Sequence, residues 1–161
     1  MEFDIDVSGE DIFGRNFTIC IADKDSIIRG YKMTSDIINI INSRYGQEFY
    51  KYKKSDKGRS SFKIRVYCII IHYLFKSITI KNEINLNICR DFDGKENDIK
   101  SNLGFLLGNM LKIKIESIKF CRLREESNAH RYAYLMRKDD KNQMKTYVKI
   151  RLEEIEKFLK K

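Results

Sequence analysis

Residues 2–8 alternate without a break. Phe3, Ile5 and Val7 fall on one side, and Glu2, Asp4, Asp6 and Ser8 on the other. A period of two is the signature of a β-strand with one face in a core. Gly9 to Gly14 follows as a hairpin connection. Residues 16–22 read as an apolar second strand, and 25–32 as a third after the Asp23-Lys24 turn. The chain therefore opens as an antiparallel meander whose first strand carries carboxylates on one face. Such carboxylates need solvent, a partner or a metal.

Beyond the meander the spacing becomes helical. Thr34 or Ser35 is placed to cap a short helix with Ile37, Ile38, Ile40 and Ile41 inward. Residues 46–60 are polar and basic and read as a loop. A longer helix is expected from Ser60 or Ser61 to about Ser77, with Phe62, Val66, Ile69, Ile70, Tyr73 and Leu74 at helical spacing. Residues 78–80 and 83–90 read as one or two strands, the latter alternating Ile84, Leu86 and Ile88 with Asn85, Asn87 and Cys89. Asn97 or Asp98 caps a helix to about Leu111, residues 113–123 return to strand, and Ser127 or Asn128 opens a helix through Arg137. After a polar break at 139–142, an amphipathic helix is expected over 144–159, with Val148, Leu152, Ile155 and Leu159 as its seam. That seam serves a partner or the chain's own sheet. The order β-β-β-α-α-β-α-β-α-α implies an α/β fold, a mixed sheet with helices packed on it.

The bulk numbers fit one domain over residues 1–161 with an adequate core. Hydrophobic residues make up 42% and charged residues 34%, which excludes a disordered chain. The formal net charge is +9 and the pI about 9.3. This excess of cations suits a polyanionic partner, nucleic acid above all, but an AT-rich coding sequence accounts for many lysines equally well. Cys20, Cys68, Cys89 and Cys121 are too far apart for a zinc pair and read as small buried hydrophobes in a reducing cytoplasm. Residues 1–15 lack the apolar core of a signal peptide. The longest apolar stretch, 66–75, is too short to span a bilayer, so no membrane partner is expected. A monomer is the default.

Several residues could carry chemistry. Asp6 shares a strand face with Asp4, and Asp91 and Asp93 follow the end of a strand and precede a helix. Ligand sites in open α/β sheets favour the carboxyl ends of strands. Each acid alone reads equally well as solvated surface. His130 opens a helix and can act as ligand or proton carrier, or stand as a surface histidine near Glu125 and Glu126. His72, flanked by apolar residues, reads as packed. Tyr50, Lys51, Tyr52, Lys53, Lys54, Lys57 and Arg59 interleave aromatic rings with cations, a pattern suited to phosphates and exposed bases; a solvated loop explains the same run. No P-loop, dinucleotide fingerprint or serine-hydrolase arrangement occurs.

Asp6-Val7-Ser8-Gly9 followed by a hairpin resembles the opening of ribonuclease H-like proteins. Type 2 ribonucleases H open with D-E-A-G-R-G, and a related group of proteins with D-E-S-G. Asp91 matches the acid ending the fourth strand of that superfamily. Residues 127–137 resemble its closing helix, in which an A-D pair supplies the last acid; here Ala129 is kept and His130 stands for the Asp. The resemblance implies a ribonuclease H-like mixed sheet and hydrolysis of phosphodiester bonds in RNA or DNA. It implies Mg²⁺ or Mn²⁺ held by Asp6 and Asp91, with Asp93 and His130 completing the shell and Asp4 or Glu126 as substitutes. Lysines and Arg59 within 51–59 would then hold the nucleic-acid backbone. Two departures stand out. Val7 occupies the position of the second acid, and the stretch 62–75 lacks the Glu that type 1 enzymes place in a helix. An inactive module that binds nucleic acid or a protein on the same fold is the competing expectation.

Overall fold

The computed structural model describes residues 1–160. The meander forms as expected: β1 (Glu2–Ser8), β2 (Thr18–Ala22) and β3 (Ile28–Lys32), each antiparallel to the next. Gly9 ends β1 with φ +127°, and a Cβ there would lie 2.8 Å from the Phe17 ring, so a side chain would meet both strain and a neighbour. The other strands are β4 (Ile84–Cys89) and β5 (Ile115–Cys121). The sheet is a mixed five-stranded one in the order β3-β2-β1-β4-β5, with β1 parallel to β4 and β4 parallel to β5. Residues 78–80 add no strand.

Among the described residues, five α-helices accompany the sheet. α1 (Ser35–Gly46) is capped by Thr34, whose side chain accepts from the Ile37 N–H, and it buries Ile38, Ile41 and Tyr45; Ile40 stays exposed. α2 (Asp56–Lys76) starts four or five residues before the expected position, because Ser55 rather than Ser60 or Ser61 supplies the cap. It is buried almost continuously from Phe62 to Phe75. Phe75 meets Phe3 of β1 edge-to-face at 5.2 Å, so α2 seals the apolar face of the sheet. His72 is buried, with Nδ1 2.7 Å from the Leu106 carbonyl. α3 (Glu96–Leu103) runs on into a π-helical segment at Gly104–Asn109.

α4 (Asn128–Lys138), capped by Ser127, lies on the opposite face. Its inward seam is Ala129, Ala133 and Met136, small enough at two of three positions to bring the helix close to the sheet. Gly30 completes that approach, since a Cβ there would come within 2.5 Å of the Met136 thioether.

The expected helix over 144–159 is replaced. Only α5 (Leu152–Glu156) is helical. Residues before it run parallel to β3: the Gly30 N–H donates to Thr146 O and the Val148 N–H to Gly30 O, both at 2.8 Å. The open edge of β3 offered those residues backbone partners, and that ladder outweighed a helical seam of modest length. The segment is thus engaged with its own chain. Among the described residues, no helix is long and apolar enough to cross a membrane.

Candidate metal centre

Even-numbered residues of β1 point toward α4, and there the two aspartates diverge. Asp4 pairs in register with Asn87 of β4. Its carboxylate accepts from Asn87 Nδ2 at 3.0 Å and from the Ser127 hydroxyl at 2.8 Å. Asp6, two residues on, is 3% exposed. Its Oδ1 accepts from the Val7 N–H at 2.8 Å, and its Oδ2 lies 2.7 Å from His130 Nδ1.

The carboxyl end of β4 lies beside Asp6. Polar alternation along Asn85, Asn87 and Cys89 keeps Cys89 on the same sheet face, and the chain turns at once, with the Asp91 N–H donating to Cys89 O at 2.9 Å. Ligand atoms of Asp6, Cys89 and Asp91 consequently lie within 4.8 Å of one another. Asp91 is an exposed residue whose carboxyl turns back toward Asp6. Even so, burial of its carboxyl, reinforced by the charge of Asp6, pushes it up to about 6; the Cys89 hydrogen bond and His130 oppose that shift only in part. Cys89 is driven to about 12 by burial, then by Asp6 and Asp91, so it remains a thiol at neutral pH. The cluster thus joins two carboxylates and a thiol.

His130 stands outside that trio, as a support for Asp6. Its side chain is 50% exposed, and with Nδ1 engaged by a carboxylate the outward nitrogen is Nε2. On the other flank of Asp91, a depression of 260 Å³ is lined by Asp91, Lys63, Asp11 and Gly9. Lys63 Nζ is held by Asp11 Oδ2 at 2.7 Å. Neither Cys89 nor Lys63 was singled out in the sequence. Cys89 lay in the alternation of β4 already read, on the same face as Asn85 and Asn87, and Lys63 could have been found by its spacing of four from Arg59 on one helix.

The remaining sequence candidates are placed elsewhere. Asp93 is exposed two residues beyond Asp91 and joins no cluster. Asp4 and Glu126 line a separate polar depression of 500 Å³ together with Lys119, Arg122 and Arg124. Lys51, Lys53, Lys54 and Lys57 are exposed, whereas Arg59 is half-buried, 5.6 Å from the ring centroids of Phe13 and Tyr45. Tyr50 corrects the sequence expectation, and Tyr52 is half-buried. Tyr50 is buried, and its hydroxyl donates to Glu156 at 2.8 Å beside the Arg44–Glu156 ion pair. Tyr52 packs against Phe62. Both rings belong to the cluster around Phe62, because aromatic side chains next to a buried helix gain more from packing than from solvent.

Comparison with protein-family models, with curated proteins and with solved structures found no match.

Proposed function

We propose that this protein is a divalent-metal-dependent nuclease with a ribonuclease H-like domain, hydrolysing phosphodiester bonds in RNA or DNA. The observation that carries the reading is the convergence of Asp6 and Asp91 at the carboxyl ends of adjacent parallel strands, with the Asp91 carboxyl raised by burial and by its neighbour's charge. Two crowded carboxylates are stabilised by a cation. Hard oxygen donors suit Mg²⁺ or Mn²⁺, and a thiol held protonated adds little for such ions, so Asp6 and Asp91 are the residues that would hold the metal.

A bound Mg²⁺ or Mn²⁺ supplies positive charge to phosphoryl oxygens and lowers the pKa of water. The chain's own groups do the rest. His130 fixes the orientation of Asp6 through Nδ1 and offers Nε2 at the rim, where it accepts or returns a proton. Lys63, next to Asp91, supplies a cation for a phosphate. Asp11 holds that ammonium group in place.

A second reading is favoured by Val7 and His130 standing where the resembled enzymes carry acids. In it the same surface binds nucleic acid without cutting it. One experiment separates the two: Mn²⁺ titration by calorimetry, then cleavage of labelled RNA, DNA and hybrid oligonucleotides, with wild type and Asp6→Asn. The nuclease reading expects saturable Mn²⁺ binding and cleavage, with the variant slower by at least about a hundredfold. Cleavage that persists undiminished in Asp6→Asn overturns it. Salt-sensitive binding without turnover assigns the binding module.

A further inference from the structure

His130 has a second side. Away from Asp6 it borders an open depression of 510 Å³ that runs along the outer face of α4 and reaches Ser8 at the end of β1. Its floor is apolar and solvent-facing: Tyr134 is 55% exposed and Leu135 44% exposed. These rank among the most exposed large apolar side chains of the described residues, and they are adjacent. The ring stands off the sheet, whereas Ala129, Ala133 and Met136 make the buried seam of α4.

The surroundings of the ring are positively charged. Arg131 lines the same depression, and Lys138 Nζ stands 5.7 Å from the Tyr134 ring centroid. No acid occurs between Asn128 and Lys138, while Arg131, Arg137 and Lys138 all do. Glu125 is the one acid on the rim of the depression. A flat ring flanked by cations is complementary to a planar base whose neighbouring phosphates are anionic. A protein partner docking on Tyr134 and Leu135 would need acids to answer the same cations and has no reason to keep the ring beside the Asp6–His130 pair.

We propose that Tyr134 is a stacking platform for an unpaired nucleobase, with Leu135 extending the apolar floor and Arg131 and Lys138 meeting the flanking phosphates. A strand lying on this shelf passes over His130 to reach the carboxylates. The preferred ligand is therefore single-stranded, or a duplex with an unpaired base, since a base inside a continuous stack hides both faces from the ring. The proposal deepens the nuclease reading and rests on the same surface being a nucleic-acid site, but it does not require turnover.

The test is fluorescence anisotropy in EDTA with a labelled single-stranded 20-mer DNA of mixed sequence, its blunt duplex and an abasic version of the single strand. Wild type, Tyr134→Ala and Tyr134→Phe are compared. The expected result is tighter binding of the single strand than of the duplex and of the abasic strand. Tyr134→Ala should weaken single-strand binding on the order of tenfold, leave duplex binding unchanged and keep the wild-type melting temperature. Tyr134→Phe, which keeps the ring, should bind like wild type. Equal affinity of Tyr134→Ala and wild type for the single strand overturns the proposal, as does equal loss on strand and duplex, or no binding of the strand at low salt. Cleavage is scored separately, so a stacking shelf without metal-dependent turnover sinks the nuclease and leaves the shelf standing. Turnover with no effect of Tyr134→Ala on binding does the reverse.

Discussion

Asp4 and Asp6 occupy one face of one strand, two residues apart, and have opposite surroundings. The upstream carboxylate is met by an amide and a hydroxyl, neutral donors that leave its charge in place and its hydrogen bonds filled. Downstream, Asp6 meets an imidazole, a thiol and a second carboxylate. The first end of β1 is finished as a structure. The second gathers two carboxylates, the site at which a cation is proposed. The lesson concerns position rather than residue type: β1 and β4 run parallel, so only their carboxyl ends let a following turn carry Asp91 back beside the strand.

The comparison can be broken from either end. The largest effect is expected on the far side of β1, where Phe3 packs on Phe75 in a fully buried contact. Phe3→Ala should cost about 3–5 kcal/mol in urea denaturation, and a cost below about 1 kcal/mol would mean that α2 does not clamp the sheet as described. Next comes the finished end. Ser127→Ala removes a helix cap and a donor to Asp4 together, and should cost about 1–2 kcal/mol. Mn²⁺ affinity should stay at the wild-type value, because the Asp6–Asp91 pair keeps its geometry; a parallel loss would show the two ends to be coupled.

The smallest effect sharpens the unfinished end. The Asp91 carboxyl has an ordinary value of 3.8 and rises to about 6 in the fold. The folded state therefore binds that proton more tightly, and the associated stability is fully present below 3.8 and lost as pH rises through 6. Without metal, Asp91→Asn should remove this slope. It should also leave the protein slightly more stable than wild type at pH 7.5, by less than about 1 kcal/mol once solvent screening is allowed for. Chemical denaturation of both proteins at pH 5 and 7.5 measures it. A variant less stable than wild type at pH 7.5 would show that the carboxylate pair is already balanced by the chain.

What the sequence made legible depended on how local the cause was. Strict alternation over residues 2–8 announced β1, and Thr34 announced α1, because a strand's two faces and a helix's cap are read within a few residues. The fate of 144–159 was not local. Val148, Leu152, Ile155 and Leu159 fit a helix, but the backbone of Gly30, more than a hundred residues earlier, claims Thr146 and Val148. The start of α2 was missed for a related reason. Asp56 and Lys57 are polar because they face solvent in the first turn of a helix, and polarity alone reads as loop. At the site, Asp6, Asp91 and His130 were named from motif-like positions, and the structure brings these three together. Cys89 was hidden by a reading of every cysteine as filler, and the interleaved tyrosines misled because aromatic content does not say which way a ring points.

The bridge that residues 146–148 make to Gly30 has a consequence in time. β3 is made early, and the N–H and C=O of Gly30 on its outer edge stay unmatched until the chain has grown through Val148. A nascent or truncated chain ending before that point therefore exposes a sheet margin open to pairing with any extended peptide nearby. Synthesis of residues 146–148 closes that margin at Gly30.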